Sequence, residues 1–191
     1  MLKKIIIYLF LFSVYSFGSI EKSYVAGGCF WCTEHDIENI PGVIKVTSGY
    51  LGGDIPNPTY KEVESGTTGH REGVMIEYDN SLISYSQLMY DFLKTINPTD
   101  EGGQFVDRGF QYSPAIFYLT KAEKTKILKE LEKIKKEGKF NSINVAVLPF
   151  KNFYPAEEYH QEYSKKNPLR YKYYRYRSGR DQFLKKTWGN N

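Results

Sequence analysis

A chain of 191 residues, 41% hydrophobic and 25% charged, fits one compact domain with a short appendage. No internal stretch is long and apolar enough to span a bilayer, and a formal net charge of +4 does not argue for nucleic acid as a partner. Aromatics are abundant at 16%, with 17 Tyr and 12 Phe; most read as amphipathic packing residues, and tyrosines also suit a wet pocket that needs hydroxyls.

In chain order, the first feature is a targeting segment. Lys3 and Lys4 precede an apolar run over residues 5–17, and Ser16 and Gly18 stand where a signal peptidase needs small side chains. Residues 1–18 therefore read as a signal peptide and residues 19–191 as a single mature domain, exported across an inner membrane to the periplasm. No cysteine follows the run, which argues against a lipid anchor; an uncleaved leader is the alternative, and the one route to a membrane. Without Lys3 and Lys4, 24 basic residues face 22 acidic ones, a net charge of +2.

Residues 21–26 read as a strand running into Gly27-Gly28, and residues 29–39 as a helix stopped by Pro41-Gly42. A strand is expected over 43–50, a loop over 52–58 where two prolines and two glycines fall, and a helical turn over 60–64. Alternation of Val74, Ile76 and Tyr78 against Met75 and Glu77 predicts a strand over 72–78. Leu88, Phe92 and Ile96, spaced by four, predict a helix over 84–96. Residues 97–113 are polar, glycine-rich and too long for an idle loop. A strand over 115–119, a charged amphipathic helix over 120–136, a strand over 145–148 and a short helix over 155–163 follow. The tail beyond reads as irregular. Its run from Arg170 to Arg177 interleaves cations with tyrosines as single-strand binders do, but one short run reads better as a surface segment packing its rings inward. The whole predicts an α+β fold, a two-layer ferredoxin-like plait with a long irregular C-terminal segment. Nothing in the pattern calls for more than a monomer.

The chemistry concentrates in Gly27-Gly28-Cys29-Phe30-Trp31-Cys32-Thr33-Glu34. A cysteine at a strand-to-helix junction faces free backbone N–H groups and the positive end of the helix dipole, so its thiolate should be favoured and its pKa lowered. Cys32 lies one turn later on the same face, within disulfide range. As a staple the pair closes almost no loop, so it points to redox chemistry. Zinc is disfavoured, because no second pair exists and His35, His70 and His160 are not spaced as ligands. A thioredoxin-like oxidoreductase shares the motif and stands as the competing enzyme reading; a secreted adhesion module with a tyrosine surface is the non-enzyme one.

Gly28-Cys29-Phe30-Trp31 followed by Glu34 resembles the signature of the A-type peptide methionine sulfoxide reductases. Gly49–Gly53, Asn57–Val63, Ser65–Glu72, Asp107–Gly109, Gln111–Ser113, Phe153–Glu157 and His160-Gln161 are similar to that family's further blocks in their usual order. The resemblance implies Cys29 as nucleophile and Glu72 as a carboxylic acid held neutral by burial, to protonate the sulfoxide oxygen. It implies Tyr60 and Tyr112 as hydroxyl donors to that oxygen, Asp107 as a further polar pocket residue, and Phe30 and Trp31 as the apolar wall for the substrate methyl group. Cys29 would become a sulfenic acid, and an external dithiol protein of the thioredoxin type would restore the thiols, with no bound metal or organic cofactor. The substrate implied is the S sulfoxide of methionine, in proteins or free. Many relatives place the second cysteine elsewhere; here the tail has none and position 64 is Glu64, leaving Cys32 as the one candidate resolving thiol in the chain, with direct recycling by an external thiol as the alternative.

Overall fold

The computed structural model describes residues 18–189. The leader expected over residues 1–18 lies outside the described residues but for Gly18. Strand β1 (Ile20–Ala26) leads into helix α1 (Phe30–Glu38), then β2 (Val43–Leu51), α2 (Tyr60–Glu64), β3 (Arg71–Asp79) and α3 (Tyr85–Leu93). Two-residue strands β4 (Gly103–Gln104) and β5 (Asp107–Arg108) tie the long polar segment into a small ribbon. After β6 (Ala115–Tyr118) come α4 (Lys121–Lys136), β7 (Ala146–Pro149), β8 (Phe153–Pro155), α5 (Tyr163–Lys166), α6 (Pro168–Ser178) and α7 (Arg180–Trp188).

The main sheet has the order β7-β6-β1-β3-β2-β8. Every pairing is antiparallel except β6 with β7, and that parallel pair is joined by α4 as its crossover. Alternation sorts the strand residues by face. Val25, Val46, Val74, Ile76 and Ile116 join the large core, against Ile37 of α1, Leu88, Met89, Phe92 and Leu93 of α3, and Ile127 and Ile134 of α4. Tyr24, Ala26, Leu51, Ala115 and Phe117 point the other way, into a smaller cluster closed by Phe150 and Phe153. Each fully buried leucine or phenylalanine in α3 contributes about 1.5–3 kcal/mol. Helix α4 owes its start to Thr120, whose hydroxyl accepts from the Glu123 N–H at 3.1 Å, and its basic last turn offsets the dipole.

The result is a mixed α+β fold. Two expectations need correction. The region read as a helix over 155–163 opens with the end of β8 and a single 3₁₀ turn at Glu158–His160. The tail read as irregular is helical. Pro168 at the first turn of α6 and Gly179 at φ +79° after its last turn are start and stop signals, but the buried stripe is Tyr171, Arg175 and Ser178. A stripe of that composition carries no aliphatic periodicity, so only the punctuation could have revealed it.

Candidate active site

Strand β1 ends in Gly27-Gly28, and Gly28 (φ +88°) swings the chain into α1 with Cys29 as the residue before its first turn. A side chain on Gly28 would meet Cβ of Gln104 at 2.5 Å, so this turn needs glycine for space as well as conformation. Cys29 is 6% exposed and Cys32 is fully buried one turn on; both are free thiols.

Glu72 enters from β3, opposite Tyr50 of β2, and is 2% exposed. Its Oε2 accepts the Phe30 N–H at 3.1 Å, which fixes a carboxyl one residue from the Cys29 sulfur. Burial pushes the Glu72 pKa up to about 8 against that hydrogen bond, with Asp107 and Glu64 adding repulsion, so the carboxyl is protonated near neutrality.

The same contact overturns the expectation of a lowered Cys29 pKa. The first helical N–H goes to the carboxyl of Glu72, while those of Cys32 and Thr33 go to the Cys29 carbonyl. Burial then dominates and raises the Cys29 thiol, helped by its hydrogen bond with Cys32 and by Glu72 and Asp107 nearby. Cys32 moves the other way, to about 7, chiefly because Cys29 hydrogen-bonds to it. The two thiols titrate as a pair.

The remaining sequence-derived residues gather around these three. Tyr60 begins α2, its N–H held by Glu157 Oε1 at 2.9 Å, and Tyr112 comes from the 3₁₀ turn Phe110–Tyr112. Both phenols are kept protonated by burial first and by the field of Glu72 second. Asp107 in β5 accepts from the Tyr174 hydroxyl at 2.6 Å, and burial raises its pKa. Phe30 is 1% exposed, a floor packed beneath Tyr50, Tyr60 and His160. Trp31 is half-buried and better placed to meet a ligand.

Trp31 is held by residues to which the sequence reading gave no role in the site. Its Nε1 donates to His160 Nδ1 at 3.1 Å, Tyr163 stacks on it at 3.7 Å and 7°, and Tyr174 meets it edge-on at 6.0 Å. Glu157 joins the same shell, accepting from the Tyr50 hydroxyl at 2.7 Å. Only proximity in the fold connects these residues, and the tail read as irregular supplies one of them, Tyr174. Among the described residues no group of three or more His, Cys, Asp or Glu could hold a metal ion. A hollow of about 580 Å³, lined by Glu34, Thr47, Gln161 and Glu162 among others, does not include Cys29.

A buried carboxylic acid, two phenols and a thiol converging on one small volume suit the delivery of a proton to an oxygen while sulfur attacks its neighbour. A family model described as peptide methionine sulfoxide reductase matches residues 21–191. The chain belongs to the A-type peptide methionine sulfoxide reductases. A Vibrio cholerae protein named peptide methionine sulfoxide reductase MsrA/MsrB is 50% identical over 171 residues, 88% of this chain and 45% of that protein. This chain thus spans about half the length of that relative. Peptide methionine sulfoxide reductase MsrA 2 of Caulobacter vibrioides is 47% identical over 169 residues, covering 88% and 86%. Among solved structures, reduced Mxr1 of Saccharomyces cerevisiae is similar with a TM-score of 0.73 at 33% identity, over 78% of this chain and 86% of that one. In this A-type reductase the candidate nucleophile, acid and phenols therefore come from four separate pieces of chain: the β1–α1 turn, β3, α2 and the 3₁₀ turn Phe110–Tyr112.

Proposed function

We propose that the protein reduces the S sulfoxide of methionine, in peptides or free, to methionine. The observation that carries this reading is the Glu72 carboxyl, neutral near pH 7 and pinned to the Phe30 N–H beside Cys29. A sulfoxide sulfur becomes electrophilic when its oxygen is protonated, and the acid must then be uncharged at working pH. Glu72 gives its proton to that oxygen, Tyr60 and Tyr112 donate hydrogen bonds to it, and Trp31 receives the methyl group over the Phe30 floor. The Cys29 sulfur bonds to the sulfoxide sulfur, methionine departs, and the oxygen stays on Cys29 as a sulfenic acid. Net, one S–H and one S=O become S–OH and a sulfide, so the thiol's own proton balances the step and Glu72 ends as it began.

Cys32 then condenses with the sulfenic acid to a disulfide. Helical placement of Cys32 requires the first turn of α1 to loosen for this. Mxr1, the yeast relative, is also described in complex with Trx2, which supports a thioredoxin-type reductant here. The central order β6-β1-β3-β2, with α1 and α3 on one face, supports a ferredoxin-like plait as the scaffold. The basic start and apolar run of the leader support export to the periplasm.

The test supplies a methionine sulfoxide compound with dithiothreitol and measures methionine. Cys29→Ser should abolish its formation. Reduction of insulin disulfides without sulfoxide turnover would replace this reading with a thioredoxin-like one.

A further inference from the structure

The resolving step needs a thiolate at Cys32, and Cys32 is buried where an anion is costly. What surrounds it comes largely from the two C-terminal helices. Tyr171 of α6 shares a buried cluster with Cys32 and Tyr163. The Tyr171 hydroxyl accepts from Arg175 Nη1 at 3.3 Å, one turn later on α6. Arg175 is itself buried and pinned from two sides, by Asp36 at 2.9 Å and Asp181 at 2.7 Å. Asp36 follows Cys32 by one turn of α1, so the guanidinium is moored at the turn that carries the sulfur.

We propose that Tyr171 and Arg175 are positioning residues for Cys32, a hydroxyl and a cation in series that hold its sulfur as the anion that attacks the Cys29 sulfenic acid. This rests on the reading of Cys32 as the resolving thiol. The groups facing that sulfur are Cys29 and Asp36 from α1, Glu72 from β3, Tyr171, Tyr174 and Arg175 from α6, and Arg180 from α7. Of the charged ones, Arg180 first and Arg175 second favour the anion and Asp36 opposes it. Arg180 is committed elsewhere: it donates to the carbonyls of Gly27 and Thr95 at 2.8 Å each, bracing the glycine turn. Arg175, unlike Arg180, also donates to the hydroxyl of Tyr171, the ring clustered with Cys32. In the step itself the Cys32 sulfur bonds to the Cys29 sulfur and the S–O bond breaks. The oxygen leaves as water after taking one proton from the medium, the sulfenic sulfur is reduced, and the thiolate is oxidised.

The experiment is a single turnover at saturating sulfoxide, quenched at intervals, reading methionine release and the Cys29–Cys32 disulfide separately by mass spectrometry across pH. Tyr171→Phe keeps the ring that packs on Cys32, Arg175→Gln removes the charge, and Arg175→Lys restores it. Loss of about one pKa unit of anion stabilisation cuts the thiolate share about tenfold. The rate of disulfide formation relative to methionine release should therefore fall about tenfold near neutrality in Tyr171→Phe and Arg175→Gln. Its pH midpoint should move up by about one unit, and Arg175→Lys should recover most of the loss. Both steps slowing in parallel would mean a merely structural role and overturn the proposal, as would an unchanged ratio and midpoint. If wild type itself forms no internal disulfide, the resolving role of Cys32 fails first. If wild type forms it and the variants match wild type, only the proposal about α6 fails.

Discussion

Glu72 and Phe30 are joined by a single hydrogen bond, the backbone N–H of one to Oε2 of the other at 3.1 Å, and it sets the proton inventory of the site. The bond takes the helix N–H that a cysteine thiolate would otherwise use, and it fixes a buried acid whose pKa is pushed up to about 8. Activity should therefore hold below pH 8 and decline as pH rises through it, because the acid loses the proton it must give. Glu72→Gln can still accept from the Phe30 N–H, so the geometry survives while the proton is lost. A fall in kcat of about 10²–10⁴ is expected, together with disappearance of the alkaline limb from the pH–rate profile. A limb near pH 8 that persists in the variant would assign it to another group.

Trp31 owes its orientation to residues more than a hundred positions away. Tyr163 stacks on it at 3.7 Å with the planes 7° apart. An aromatic pair is worth about 0.5–1.5 kcal/mol beyond burial, so Tyr163→Leu should raise KM for the sulfoxide about three- to tenfold with a smaller effect on kcat. Steady-state kinetics with dithiothreitol as reductant reads both. A fall in kcat at constant KM would mean that Trp31 is not a wall that the substrate meets.

The two cysteines and the glycine turn were legible because thiols at a helix start are an unusual local setting; the carboxyl on β3 was pointed to only by the family resemblance. The direction of the Cys29 shift was not legible. Which group captures the Phe30 N–H depends on β3 lying beside β1, a contact between residues 42 positions apart. Strand β3 announced itself through Val74, Ile76 and Tyr78 at period two. Strand β8 is three residues long and pairs only through Gly49, Tyr50 and Leu51, so it has too few side chains for a period. Helices α6 and α7 bury arginines and tyrosines instead of aliphatics, and such faces satisfy themselves through ion pairs that no local pattern encodes.

Gly28 couples the fold to the nucleophile. At φ +88° an L side chain costs about 1–2 kcal/mol, and its Cβ would stand 2.5 Å from Cβ of Gln104 and 3.0 Å from an Arg180 nitrogen. Gly138, at φ +71° with nothing within 4 Å, has the strain without the crowding. Gly138→Ala should lower Tm by about 2–8 °C and leave turnover intact. Gly28→Ala should lower Tm further and displace Cys29, reducing kcat at least tenfold. Calorimetry and the dithiothreitol assay check both, and equal effects from the two variants would remove the special role of the Gly28 turn.

Stability itself should fall as the solution becomes alkaline, for a reason tied to two buried acids. Glu34, 2% exposed, accepts the Glu162 N–H at 3.1 Å, and burial carries its pKa from 4.5 to about 7. Glu72 moves from 4.5 to about 8. Both groups hold protons in the folded chain that the unfolded chain has already released, so between pH 4.5 and 8 the folded state binds more protons. The unfolding free energy must then drop as pH rises across that window. Replacing either acid by glutamine removes the charge that burial penalises, and Glu34→Gln with Glu72→Gln should flatten the dependence. Urea midpoints measured from pH 5 to pH 9 read this directly. The wild-type midpoint should decline and the double variant should stay nearly level. Parallel declines in the two proteins would place the titrating groups elsewhere in the fold.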